Sequence, residues 1–112
     1  MNYFKQKEFD CKCCGLNNIS NDLVDKLNVA RYFAGIPFII NSGTRCKLHN
    51  KDVGGKTKSS HLAGLAADIR IRDNTEKLLI VKALLKAGFT RLGIKNNYIH
   101  CDIDNSKIDT MY

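Results

Sequence analysis

The sequence predicts an α+β domain: a small, largely antiparallel sheet with two main helices packed on it. Three observations lead there. Two segments carry apolar residues at helical spacing. Short apolar runs elsewhere are bounded by Gly, Pro and Asn, as strands are. Near the end, two alternating runs flank an Asn-containing turn, the pattern of a hairpin. At 112 residues, 44% of them hydrophobic and 26% charged, the chain is expected to form one domain over residues 1–112, with a single core.

The first helix opens at Ser20-Asn21-Asp22, which supply an N-cap and an acidic first turn. Leu23, Val24, Leu27, Ala30, Arg31 and Ala34 follow at helical spacing, and Gly35 and Pro37 close it. Phe38-Ile39-Ile40 reads as a buried strand. Cys46 to Val53 suits a short helix stopped by Gly54-Gly55, and a polar loop follows. Ala66 to Ile71 reads as a second strand. Asp73 and Glu76 have capping-box spacing at the head of the next helix, with Leu78, Val81, Leu84 and Leu85 expected on its buried face and Gly88 at its end. Arg91–Ile94 and Tyr98–Ile103 then flank Lys95-Asn96-Asn97 as a hairpin.

Composition narrows the function classes. Lys and Arg number 18 against 11 Asp and Glu, a formal charge of +7. That balance suits a polyanion, including the anionic polymers of a bacterial envelope. The basic residues are scattered without a run of five, so a nucleic-acid-binding tail is not indicated and no nucleic-acid partner is expected. No apolar stretch approaches the roughly 20 residues of a membrane span. The opening segment "MNYFKQKEFDCKCC" lacks the apolar core of a signal peptide, so export by that route is not expected. The five cysteines, Cys11, Cys13, Cys14, Cys46 and Cys101, are then expected to be made as thiols.

Strand alternation sorts the polar residues. On the last strand Ile99, Cys101 and Ile103 point to a core, and Tyr98, His100 and Asp102 point away. On the Ala66–Ile71 strand, Ala67, Ile69 and Ile71 face inward and Asp68 shares the other face with Arg70. If these strands are neighbours, Asp68 and His100 meet on the open sheet face. His61 lies just upstream, across a turn that Gly64 permits. Two His and one Asp suit Zn²⁺ with one coordination position left free, the pattern of a catalytic rather than a structural zinc.

The segment "SGTRCKLHNKDVGGKTKSSHLAGLAADI", Ser42 to Ile69, resembles the core of the zinc peptidases that include the D-Ala-D-Ala carboxypeptidases and many phage endolysins. The resemblance rests on Ser42, Gly43, Arg45, Asn50, Val53, Gly54, Gly55, Ser59, His61, Gly64, Ala66 and Asp68. It closes on Ile99, His100 and Asp102, and the N-terminal "FDCKCCG" resembles phage and prophage members. It implies a zinc metallopeptidase, D-Ala-D-Ala carboxypeptidase-like or a peptidoglycan endopeptidase, with His61, Asp68 and His100 as metal ligands. Its substrate would be a stem or cross-bridge peptide of peptidoglycan. Arg45 would stabilise the oxyanion or grip a substrate carboxylate, its rival role being a structural salt bridge. Ser59 would bind substrate near the metal or cap the loop before His61.

Many relatives carry Glu or Asp three residues before the last metal-binding His. Asn97 stands there in this chain and cannot take a proton. Asp102, on the face of His100, is therefore the expected general base, with orientation of a ligand as its other reading. The expected setting is a phage or prophage lysin, monomeric, held in the bacterial cytoplasm until released to the wall, or carried in a virion. The alternative is a catalytically silent zinc-binding module of a phage particle. A zinc-ribbon-like nucleic-acid binder is a third reading that leaves His61, Asp68 and His100 unexplained. Cys11, Cys14, Cys46 and His49 have the types and spacing of a second, closed zinc site. A disulfide from Cys11 or Cys14 to Cys46, or free thiols, are the other readings, with Cys101 an inert core thiol.

Overall fold

A computed structural model describes residues 2–112. Its helices are α1 (Asn21–Ala34), α2 (Lys47–Asp52) and α3 (Asn74–Lys86). Its strands are β1 (Ile40–Ser42), β2 (Ala66–Arg70), β3 (Arg91–Ile94), β4 (Tyr98–Asp102) and β5 (Thr110–Met111). The strands form one sheet in the order β1-β2-β4-β3-β5, antiparallel throughout except for the parallel β3–β5 pair at one edge. The expected α+β architecture is present. No helix among the described residues is long and apolar enough to cross a membrane.

One face of the sheet is apolar because β2, β3 and β4 send Ala67, Ile69, Leu92, Ile99 and Cys101 to the same side. Helices α1 and α3 lie against each other on that side and contribute Leu23, Leu27, Ala30, Ile80, Ala83 and Leu84. The opposite face is left for polar side chains. Asp73 caps α3 by accepting the Glu76 N–H at 2.8 Å. The reciprocal half of the expected box is displaced by one residue, since Glu76 accepts from the backbone N–H of Arg72 rather than of Asp73.

Two expectations shift in detail. The buried stripe of α3 is Ile80, Ala83 and Leu84, while Leu78 is 60% and Leu85 47% exposed. Residues 78–81 and 83–85 are all apolar, so helical period alone could not choose a face, and contact with α1 and β4 chose it. Strand β1 begins at Ile40 rather than Phe38. Phe38 is instead a core side chain ahead of the strand. Pairing of β1 with β2 then sets Ser42 opposite Asp68. Strand β5 and a short 3-10 turn at Gln6–Phe9 carry no apolar periodicity and were not expected.

Leu84→Ala is expected to cost about 2–5 kcal/mol of stability. The chemically identical Leu78→Ala should stay within about 0.5 kcal/mol of the parent. Urea unfolding of the two variants side by side reads the difference, and equal losses would contradict the buried stripe described above.

Candidate metal centre and cleft

Register brings the first two groups together. β2 and β4 are antiparallel neighbours, and Asp68 lies directly opposite His100, both on the face away from the helices. His61 arrives from the turn before β2 and is 2% exposed. That turn needs glycine at 64: φ is +71°, and a Cβ there would meet the Asn18 carbonyl oxygen. His61 is fixed at three points. Its backbone N–H donates to Ser59 Oγ (3.2 Å), its carbonyl accepts from Arg45 N–H (3.2 Å), and its Nδ1 lies 2.8 Å from the Gly43 carbonyl oxygen.

These contacts set the ring protonation. A carbonyl oxygen only accepts, so Nδ1 of His61 carries the hydrogen and Nε2 presents a lone pair in the neutral ring. That Nε2 lies 3.2 Å from Asp68 Oδ1. On the other side His100 Nε2 lies 2.8 Å from Asp102 Oδ2, which leaves Nδ1 of the neutral ring facing the same Asp68 Oδ1 at 2.9 Å. Three acceptors thus converge, their ligand atoms within 4.8 Å of one another. Acceptors in contact repel unless a proton or a metal cation lies between them. Zn²⁺ with ligands at about 2.0–2.2 Å places donor atoms roughly 3.3 Å apart in a tetrahedron, close to what is seen. The residues therefore fit a zinc ion, and the site lies on the open sheet face as expected.

In the metal-free protein the same contacts shift the titrations. Burial opposes the charged form of Asp68, but hydrogen bonds from His100 and His61 outweigh it and hold the carboxyl well below its ordinary range. Burial likewise opposes the imidazolium of His100, yet its hydrogen bonds to Asp102 and Asp68 raise the pKa above 6.5.

Asp102 is placed differently from expectation. Its side chain is fully buried, 0% exposed. Oδ2 accepts from His100 Nε2 (2.8 Å) and Arg91 Nε (3.0 Å), and Oδ1 accepts from the Asp104 N–H (3.2 Å). It thus sits on the edge of the imidazole opposite the atom that faces Asp68. A buried carboxylate with both oxygens engaged there is poorly placed to take a proton from water in the cleft. These contacts match the other reading of Asp102, in which it orients His100 and fixes its tautomer. Arg91, which sequence reasoning passed over, pairs with it.

Arg45 reaches the site and is held there. Nε donates to Ser42 Oγ (3.1 Å), Nη1 to Asn50 Oδ1 (3.2 Å) and Nη2 to Asp68 Oδ2 (3.3 Å). Three of its five N–H donors are engaged, so it braces Asp68 and keeps two. Asn50 in turn donates to the Lys56 carbonyl at 2.9 Å, and a Cβ on Gly55 would collide with the Asn50 amide. The Asn and Gly-Gly of the sequence pattern are the support under Arg45. Ser59 lines the cleft and its Oγ accepts the His61 backbone N–H. Asn97 is exposed in the β3–β4 turn, where its carbonyl accepts from Ile71 N–H (3.0 Å).

The three convergent residues open onto a cleft of about 230 Å³ that Arg45, Lys56, Arg91, Lys95 and Lys107 also line, with Asp68 as its one acidic side chain. Tyr98 and Tyr112 complete the wall. Tyr112, also missed in the sequence, carries the Arg91 guanidinium 5.1 Å and the Lys95 ammonium 4.6 Å from its ring centre. A larger groove of about 710 Å³ runs along α1 past Phe4, Ile19 and Asn28. It holds none of the convergent His and Asp groups, so the candidate metal centre lies in the smaller cleft.

Comparison with protein families matches the Peptidase M15 model to residues 2–102, a span that holds all three convergent residues with Arg45, Ser59 and Asp102. No curated protein matches the chain.

Asp102→Asn should weaken zinc affinity by about 10–100-fold. Any activity lost should return when excess zinc reloads the site. A fully zinc-loaded Asp102→Asn protein still slowed by about 10² or more would restore the general-base role. Zinc must also displace the His100 proton. Affinity is therefore expected to fall as pH drops through the raised pKa, starting above 6.5. Competition titrations against a chelator at several pH values measure it, and a flat profile from pH 8 to pH 6, roughly spanning the ordinary His value, would contradict it.

Proposed function

The chain belongs to the peptidase M15 family, zinc-dependent metallopeptidases with peptidoglycan-type substrates, and on that premise we propose that it hydrolyses a stem or cross-bridge peptide bond of peptidoglycan, with His61, Asp68 and His100 as the zinc ligands. The observation that carries this reading is the meeting of three acceptor atoms at the floor of an open, basic cleft.

Zinc bound there supplies polarisation of the scissile carbonyl and a lowered pKa for the attacking water. The chain's own side chains do the rest. His61 and His100 are held in the ligating tautomer by Gly43 O and Asp102. Arg45 braces Asp68, and its remaining N–H donors suit a developing oxyanion or a substrate carboxylate. Lys56, Lys95 and Lys107 give the cleft a positive field that favours the carboxylate-bearing peptides of the wall. Ser59 offers a hydroxyl on the same wall. The proposed setting is lysis of the cell wall by a phage or prophage lysin acting as a monomer.

One observation favours a second reading, a catalytically silent zinc module of a phage particle. Apart from Asp68, no carboxylate lines the cleft, and Asp68 is taken up by His61, His100 and Arg45. In the peptidase reading the proton of the attacking water then leaves through solvent in the open cleft.

Digestion of purified peptidoglycan followed by mass spectrometry of the muropeptides separates the two. New amino and carboxyl termini at one peptide bond are expected with the zinc-loaded protein and absent with His61→Ala. Unchanged muropeptides from a zinc-replete preparation would support the silent module.

A further inference from the structure

Four of the five cysteines gather in one place, away from the cleft. Cys11, Cys13, Cys14 and Cys46 bring their sulfur atoms within 4.8 Å of one another. Cys13 Sγ lies 3.6 Å from Cys11 Sγ and 3.3 Å from Cys46 Sγ. The first three come from one tight turn, closed by Cys11 N–H to Leu16 O (2.7 Å) and Gly15 N–H to Cys11 O (2.9 Å). Cys46 comes from the residue just before α2. The His49 ring, named as a ligand by sequence spacing, is not in the group. Cys13 takes its place, and His49 contributes only its backbone N–H, which donates to Cys46 Sγ at 3.3 Å. The fifth cysteine, Cys101, is buried in the core as expected.

Hydrophobic burial does not explain the gathering. Cys11 is buried, but Cys13 and Cys14 are exposed. Nor are the sulfurs bonded to one another, since all are free thiols. What four converging sulfurs share is affinity for a soft cation. Tetrahedral zinc with sulfur at about 2.3 Å sets neighbouring sulfurs roughly 3.8 Å apart, inside the observed spread. Two of the four sulfurs already accept backbone N–H groups: Cys11 from Cys46 N–H (3.4 Å) and Cys46 from His49 N–H. Such bonds stabilise thiolate more than thiol.

We propose that Cys11, Cys13, Cys14 and Cys46 form a second, closed metal site that binds a structural Zn²⁺. Four Zn–S bonds form as four S–H protons pass to solvent. With all four positions filled by protein, the ion has no place for water or substrate. Its effect is to tie the N-terminal turn to the segment Gly43–Cys46. That segment supplies Gly43 O to His61 and the Arg45 side chain to Asp68, so the second ion would steady the walls of the first site.

The test counts metal and reads its ligands in the full chain, purified under reducing conditions without chelator. Two zinc ions per chain are expected, falling to one in Cys14→Ser and to one in His61→Ala, while His49→Ala keeps both. Cobalt substituted into His61→Ala should show thiolate-to-metal charge-transfer absorption, and Cys14→Ser with cobalt should show none. A single zinc in the parent that is lost in His61→Ala and kept in Cys14→Ser, or a mass lower by the hydrogens of a disulfide, overturns the proposal. Loss of one zinc in His49→Ala would overturn the donor set. Because His61→Ala removes only the cleft metal, failure of the peptidase reading and failure of this one give different counts. If Cys14→Ser does not fold, the cobalt spectrum of His61→Ala decides alone.

Discussion

The pairing of β2 with β4 is the constraint on which the rest depends. With Asp68 opposite His100, the two residues project to the same face about one strand spacing apart. A one-residue slip would turn Asp68 toward Ile80 and Leu84 and expose Ala67 or Ile69. The apolar core therefore protects the polar site. A slip by one residue would exchange buried Ala67 and Ile69 for an unpaired carboxylate in the core.

Around that pair the molecule holds an arrangement that is repulsive by itself. Two imidazole nitrogens and a carboxylate meet where a shared proton or a metal cation is needed to satisfy them. The fold meets this cost with neighbours that act from the far side of each group. Gly43 and Asp102 fix the rings, Arg45 neutralises the outer oxygen of Asp68, and Arg91 neutralises Asp102. Each buried charge thus has a partner. Truncating an outer partner leaves an unpaired charge inside, which is why such residues matter to the site apart from any contact with substrate.

The charge of the chain takes on meaning only through its distribution. A formal +7 spread evenly would say little. Five cationic side chains line the wall of one cleft, and its sole carboxylate is occupied at the metal centre. That asymmetry supports an anionic peptide as substrate. It also shows how little of the cleft is available for proton transfer.

Much of this was legible in the sequence. Period-two alternation assigned Asp68, His100 and Asp102 to the open face and Ile69, Ile99 and Cys101 to the core, because a strand leaves a side chain only two directions. The Asn and Gly residues between Ser42 and Asp68 marked the tight approach that Gly55 and Gly64 make. The tertiary structure alone decided the remainder. Helix α3 is apolar on nearly every side, so only its neighbours could select Ile80 and Leu84 over Leu78 and Leu85. Face assignment put Asp102 beside His100, but which ring nitrogen it meets depends on a rotamer and on Arg91 from another strand. Spacing favoured His49 over Cys13 as the partner of Cys46, yet the turn from Cys11 to Leu16 brings Cys13 to the sulfur group. Local pattern fixes direction along one element, whereas contacts between elements depend on how several of them pack at once.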